Sequence, residues 1–215
     1  MTPRELLRAG LRQLGLPCEG DAVEGLLLLM EELRKWNRRI NLTAIEDEHG
    51  IVVKHFLDSL TLLRHLPEEG SLLDIGSGGG FPSLPVKLLR PALSIVSVDS
   101  VDKKISFQKH IARLLELEGF LPLHLRAEAL PARYPQYFDV VVSRAFSDLP
   151  KFTALALPLL KPQGLILAMK GRDGGREAEE GMEELAKLGA VVREVDEFRL
   201  PFSGDPRSIL TIFRS

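Results

Sequence analysis

One stretch limits the possible folds more than any other: Leu72-Leu73-Asp74-Ile75-Gly76-Ser77-Gly78-Gly79-Gly80-Phe81-Pro82. Four apolar or acidic residues of strand character run into glycines, and the segment after them, Ser83–Leu89, reads as a helix. Glycines between a strand and a helix let the backbone turn tightly and let a ligand approach the main chain. The helix start beyond them offers unpaired N–H groups. Short apolar runs then alternate with amphipathic stretches. Ser94–Val98, Leu121–Leu125, Phe138–Ser143 and Leu165–Met169 read as strands, with helices at about 102–118, near 150–160 and at 174–188. Val191–Phe198 and Ser208–Phe213, joined by a loop with Pro201, Gly204 and Pro206, read as an antiparallel pair. The expected fold is α/β: a Rossmann-like seven-stranded sheet, covered on both faces and ending in that reversed pair.

The first 66 residues use a different grammar. Thr2-Pro3-Arg4-Glu5 is a capping box with Pro at the first helical position. Leu6, Leu7, Leu11 and Leu14 recur at helical spacing until Gly15. A second helix starts at Asp21 and runs towards Asn37, and a third is expected over Val52–Leu66, stopped by Pro67. The division is thus 1–66, a helical extension, and 67–215, the α/β unit. Composition narrows the class: 45% of the 215 residues are apolar and 27% charged, enough for a sizeable core, and the net charge is −2. A uniformly basic coat protein is excluded, although local basic patches are not. No apolar run approaches the ~20 residues needed to span a bilayer. The single cysteine, Cys18, permits neither an internal disulfide nor a cysteine-rich zinc site. These features set the expectation of a cytoplasmic protein without a membrane segment or metal.

The loop also selects among nucleotide-like ligands. A dinucleotide fingerprint counted from Gly76 needs glycine where Phe81 stands, and the phosphate-loop Gly-Lys-Ser/Thr ending is absent. Asp99 ends the next strand, 23 residues after Gly76, where an acid accepts ribose hydroxyls. The acid-x-Gly-x-Gly-x-Gly pattern of Asp74, Gly76, Gly78 and Gly80 resembles the first motif of S-adenosylmethionine-dependent methyltransferases. That resemblance covers about residues 70–213. It implies S-adenosylmethionine as cofactor, S-adenosylhomocysteine as product, and a cofactor site of Asp74, Gly76, Ser77, Gly78, Gly80, Phe81, Asp99, Ser100, Ala127, Glu128 and Arg144. Asp74 is expected to order the loop by accepting backbone N–H groups.

Further motifs narrow the resemblance. Trp36-Asn37-x-x-Ile40-Asn41-Leu42-Thr43, His55-x-x-Asp58-Ser59-Leu60, Arg126-Ala127-Glu128, Ser143-Arg144-Ala145 and Lys170-Gly171 occur in an order similar to that of the glucose-inhibited division protein B family. The resemblance implies methylation of a guanine at N7 in small-subunit ribosomal RNA, in the 530 loop of 16S RNA, by a protein expected to be a monomer. The alternative is a methyltransferase of the same fold acting on a small molecule or protein. Ser83 departs from the family, which usually has glycine there.

The residues bear on the chemistry as well. The amine-methylating Asn/Asp-Pro-Pro-aromatic segment is replaced by Ser143-Arg144-Ala145-Phe146. Carbon methylation needs a cysteine nucleophile, and Cys18 sits outside the α/β unit. Guanine N7 carries no proton, so alignment without a general base suffices. Arg144 is the candidate catalytic residue, either holding the base or bordering the cofactor. His55 and Asp58 would share a helix face, either tying the helices to the sheet or touching substrate. Trp36 stacks on a base or packs between the two parts. Arg34, Lys35, Arg38, Arg39, His55 and Lys170 are the candidate contacts to 16S ribosomal RNA or the small subunit. Lys103, Lys104, Lys109 and Arg113 form a second basic patch, and Arg172 and Arg176 extend the one at Lys170. Phosphates reward such clusters through counterion release.

Overall fold

The computed structural model describes residues 1–144, 146 and 148–215. Seven strands form one sheet: β1 Gly70–Ile75, β2 Leu93–Asp99, β3 Phe120–His124, β4 Phe138–Ser143, β5 Leu160–Lys170, β6 Ala190–Arg199 and β7 Pro206–Arg214. Their order is β3-β2-β1-β4-β5-β7-β6. The first five are parallel, and β7 lies antiparallel between β5 and β6. The order reverses direction at β1 and β4, so a crevice opens beyond their carboxyl ends. Both the glycine loop after β1 and Arg144 after β4 lie there.

The helical extension begins with α1 Pro3–Gln13, held by the Thr2–Glu5 capping box, and α2 Asp21–Ile40. The expected helix over Val52–Leu66 starts earlier, at Glu48, where Asp47 caps Gly50 N–H. It is also not one helix: a π-helical stretch, Ile51–Leu57, leads into an α turn, Asp58–Leu60, and a 3-10 stretch, Thr61–His65. Leu7, Leu11, Leu26, Leu33, Phe56 and Leu57 are fully buried, in one core with Leu72, Val140 and Leu167 of the sheet. Burial at roughly 25 cal/mol per Å2 of apolar surface attaches these helices to the sheet.

Other boundaries shift for local reasons. The helix expected to reach residue 118 ends at Leu114, because Glu116 takes a left-handed conformation (φ 49°) that turns the chain into β3. The helix expected to reach residue 160 ends at Ala156, just before Leu157-Pro158, and β5 begins at Leu160, five residues earlier than its apolar run. Among the described residues, no helix is long and apolar enough to cross a membrane.

Candidate active site

The glycine loop is held from below by a chain of buried polar groups. Asp74, fully buried, accepts the Ser83 hydroxyl, and Ser83 Oγ lies 3.3 Å from Ser97 Oγ. Ser97 donates to Gln108 Oε1 (2.7 Å), and Gln108 Nε2 donates to Ser77 Oγ (2.9 Å) and to the Gly78 carbonyl (2.8 Å). Ser77 completes the chain on the Val98 carbonyl. Asp74 keeps part of the expected N–H role, but toward one residue: it accepts both the hydroxyl and the backbone N–H of Ser83, the residue that stands where the family usually has glycine. Burial pushes the Asp74 carboxyl up to about 7, against the Ser83 hydroxyl. Its Oδ1 is buried without a hydrogen-bond partner among the described residues.

Asp99 takes over the loop-ordering role. Its Oδ2 accepts Gly78 N–H and its Oδ1 accepts Val101 N–H, both at 2.9 Å. A carboxylate oxygen has two acceptor directions, so both oxygens keep capacity for ribose hydroxyls. Gly78 adopts φ +59°, and a Cβ there would meet only open space. Gly80 has another function: a Cβ on it would run into the Leu84 side chain at 2.4 Å, so this glycine lets the loop close against the next helix.

Two clefts flank this loop. The first, of about 360 Å3, is lined by Ile75, Gly76, Val98, Asp99, Ser100, Leu125, Arg126, Ala127, Glu128 and Phe146. Apolar walls with acids at the strand ends suit an adenosine with free ribose hydroxyls, and the open side of Gly78 suits close approach of a ligand to the main chain. Gly76, Asp99, Ser100, Ala127 and Glu128 lie where the sequence places them. Asp74, Ser77 and Gly80 support the loop from behind, and Phe81 turns away to stack on His55 (4.4 Å, 7°).

The second cleft, of about 300 Å3, lies at the carboxyl end of β5 and the amino end of β7, against the composite helix, and includes Lys54, His55, Asp58, Arg144, Lys170 and Arg207. Arg144 stands between the two. Its neighbour Ser143 donates to the Ile75 carbonyl (2.7 Å), and Phe146 lines the first cleft. Its guanidinium lies 5.7 Å from the Phe81 ring centre, donates to the Lys54 carbonyl (3.3 Å) and sits 3.6 Å from Asp58 Oδ2. Arg207 Nε donates to Asp58 Oδ1 at 3.1 Å. Burial pushes the Asp58 carboxyl up, opposed by Arg144 and Arg207. Ala145 of the Ser-Arg-Ala motif lies outside the described residues.

His55 is held as a neutral imidazole. Burial, then the charge of Arg144, lowers it to about 3. Arg144 Nη2 approaches Nδ1 at 3.4 Å, and a guanidinium has no acceptor to offer. The proton is therefore on Nε2, donated to Thr43 Oγ1 at 2.8 Å. This joins two sequence motifs into one structural unit. Asn37 folds the Asn41-Leu42-Thr43 turn by accepting the N–H groups of Leu42 and Thr43 and donating to the Thr43 carbonyl, and Thr43 receives His55. Trp36 packs on Phe107 and His110, between α2 and the helix Asp102–Leu114.

The expected RNA contacts separate. Arg34 pairs with Glu48 and Lys35 with Glu32, whereas Arg38 and Arg39 are exposed. Lys170 lines the second cleft, but its ammonium turns to the Phe146 carbonyl (2.8 Å) and to Glu177, so it braces the wall. Of the second basic patch, Lys103, Lys109 and Arg113 are exposed, while Lys104 faces Asp99 at 3.9 Å. The sequence reading missed Gln108, Lys54 and Arg207. Gln108 is a polar residue on the inward face of an amphipathic helix, and Arg207 is a cation at the head of an apolar strand. Both are signals of a buried partner.

The model of the family described as "rRNA small subunit methyltransferase G" matches residues 22–204. A protein of Geobacter sp. (strain M21) named "Ribosomal RNA small subunit methyltransferase G" is 55% identical over 99% of this chain and 98% of its own length. One of the same name from Geobacter metallireducens is 52% identical over 98% and 96%. Among solved structures, M. jannaschii TYW2 in complex with AdoMet superposes with a TM-score of 0.59 at 13% identity, over 74% of this chain and 75% of that one. A 16S rRNA (adenine(1408)-N(1))-methyltransferase from Catenulisporales acidiphilia gives 0.58 at 15% identity, over 68% and 85%. The structural likenesses establish the fold.

Proposed function

The chain belongs to the rRNA small subunit methyltransferase G family, and from that premise we propose that it transfers a methyl group from S-adenosylmethionine to N7 of a guanine in 16S ribosomal RNA, in the 530 loop. The observation that carries this reading is the pair of clefts flanking Arg144: one with the Asp99 carboxylate placed to accept ribose hydroxyls, the other lined by the cations Lys54, Arg144, Lys170 and Arg207 around Asp58, which Arg144 and Arg207 engage. Bound S-adenosylmethionine supplies a methyl group on a positively charged sulfur. Gly76, Asp99, Ser100, Ala127 and Glu128 would hold it, on a loop fixed by Asp99 and Gln108.

The remaining residues position the acceptor. Guanine N7 presents a lone pair and no proton. His55, whose Nδ1 lone pair faces the Arg144 guanidinium and whose basicity burial lowers to about 3, is accordingly a wall and not a base. Arg144 is held by Asp58 and the Lys54 carbonyl and directs its remaining N–H donors at an entering base, where a donor to O6 fixes the N7 edge. Fixing that edge in line with the methyl group is worth orders of magnitude in rate. Residues 1–66 supply the outer wall of the second cleft and 67–215 the cofactor unit. Arg38, Arg39 and Lys54 offer the exposed charge for phosphates. A bacterial ribosomal substrate places the enzyme in the cytoplasm, where we take it to act as a monomer.

The test is transfer from labelled S-adenosylmethionine to 16S RNA, and to small subunits from cells lacking this protein, mapped by chain cleavage at N7-methylguanosine. The expected result is label at one guanine. No label on either substrate, with cofactor binding intact, would overturn the reading.

A further inference from the structure

Aligning N7 requires a donor at O6, and Arg144 provides one. The second cleft contains more than that. Among the described residues lining it stand the cations Lys54, Arg144, Lys170 and Arg207, and one carboxylate, Asp58. Asp58 is 5% exposed, an expensive place for a charge. Lys170 and Lys54 have acids of their own, Glu177 and Asp205, outside the cleft lining. Asp58 is engaged by Arg207 at Oδ1 and, at 3.6 Å, by Arg144 at Oδ2. Of the roughly four acceptor positions on a carboxylate, these contacts leave some on each oxygen.

The order of groups is specific. From Asp58 towards the glycine loop come the carboxylate, the Arg144 guanidinium 3.6 Å away, and the Phe81 ring beside Gly80. Guanine carries, in sequence around its rim, the N2–H2 and N1–H donors, the O6 acceptor and N7. With N7 turned to the first cleft, O6 falls at Arg144 and the two donors fall at Asp58.

We propose that Asp58 makes the acceptor site specific for guanine: its carboxylate accepts from N1–H and N2–H2 while Arg144 donates to O6. This rests on the guanine-N7 reading and adds the far edge of the base to it. Adenine would set its N6–H2 donor against a guanidinium and its N1 acceptor against a carboxylate. Both contacts are mismatched, and a site built of buried polar groups rejects such a base strongly. Arg207, reaching in from β7, is a positioning residue that anchors Oδ1.

Single-turnover methyl transfer tests this on 16S RNA carrying either guanosine or inosine at the target, used free and reconstituted into small subunits. Inosine lacks only the 2-amino group. The chains compared are wild type, Asp58→Asn and Asp58→Ala. Wild type should be about 10- to 100-fold slower on inosine, the loss of one hydrogen bond to a charged acceptor. Asp58→Ala should be slow on guanosine and nearly indifferent to the 2-amino group, and Asp58→Asn intermediate in discrimination. S-adenosylhomocysteine affinity, expected to be unchanged, reports whether each variant is folded; if Asp58→Ala fails there, Asp58→Asn carries the comparison. Equal wild-type rates on both bases would overturn the assignment. So would an Asp58 variant that slows both substrates by the same factor, since Asp58 would then only support Arg144. Absence of N7 methylation of the guanosine RNA by wild type would instead refute the guanine-N7 reading itself.

Discussion

Replacing Gln108 by leucine probes the buried chain under the glycine loop. The change keeps the approximate volume, so it opens little cavity. It removes three hydrogen bonds: to Ser77 Oγ, to the Gly78 carbonyl, and from Ser97. Each is worth about 0.5–1.5 kcal/mol net, and a buried partner left unsatisfied costs about 1–3 kcal/mol. Ser77 keeps its Val98 partner and Ser97 keeps its contact with Ser83, so the Gly78 carbonyl is the group most exposed to loss. The sum is about 2–4 kcal/mol of stability, or roughly 4–16 °C in Tm for a domain of this size. The Gly78 peptide is fixed at its N–H by Asp99 and at its carbonyl by Gln108, and the variant removes the second anchor. Cofactor affinity should fall by one hydrogen bond's worth, about 2- to 13-fold. Thermal unfolding followed by circular dichroism and calorimetric titration with S-adenosylhomocysteine measure the two effects separately. A lower Tm with unchanged affinity would refute the coupling between network and loop; an unchanged Tm would refute the energetic account of the network.

Three other changes have defined outcomes. Gly78→Val forces a β-branched residue to φ +59° beside the first cleft; strain of about 1–3 kcal/mol corresponds to about 5- to 150-fold weaker S-adenosylhomocysteine binding, and a wild-type Kd would remove Gly78 from the cofactor wall. Alanine at Arg38 and Arg39 together should lower the slope of log RNA affinity against log salt by about 1.4–1.8. Alanine at Arg34 and Lys35 should lower it less, because Glu48 and Glu32 already neutralise them; filter binding across a salt series would refute this if the two pairs changed the slope equally. His55 is near 3 in the folded chain and near 6.5 when unfolded, so below pH 6.5 the unfolded state takes up a proton that the folded state refuses until about pH 3. The stability His55 contributes is present above pH 6.5 and lost as pH falls through that window. Urea unfolding of His55→Gln should accordingly show a shallower acid decline than wild type, and parallel curves would contradict a neutral buried imidazole.

The sheet was legible because alternation of apolar runs with amphipathic stretches is itself the signal of a parallel sheet. The strand spans expected from Leu72, Ser94 and Phe138 lie inside those observed. What periodicity could not reveal was a change of helical pitch, as at Ile51–Leu57, because a π-helical stretch leaves the apolar residues buried all round. That Gly76, Asp99, Ala127 and Glu128 line one cleft was readable, because local motifs sit after the strand ends. Pairings across long sequence distances were not. Asp58 with Arg207, 149 residues apart, and Ser83 with Gln108 through Ser97 depend on which elements meet. The Ser83 departure was visible as a missing glycine; its meaning needed Asp74 and Ser97 beside it. Charge counts likewise identified Arg34 and Lys35 without showing that each has an acidic partner.

The insertion of β7 between β5 and β6 gives the two clefts different places in the order of assembly. The first draws its lining from residues 75 to 146, the second from residues 45 to 209. Contacts of long sequence separation form late, because the closure entropy of the intervening chain must be met before they reward it. A chain in which β7 has not docked thus has a cofactor wall but no Arg207 to anchor Asp58. On the proposed role of Asp58, its ability to discriminate between bases would depend on the docking of that strand. A molecule caught at that stage would retain S-adenosylhomocysteine affinity while lacking a finished reader of the base, so cofactor binding alone is a poor proxy for a completed enzyme.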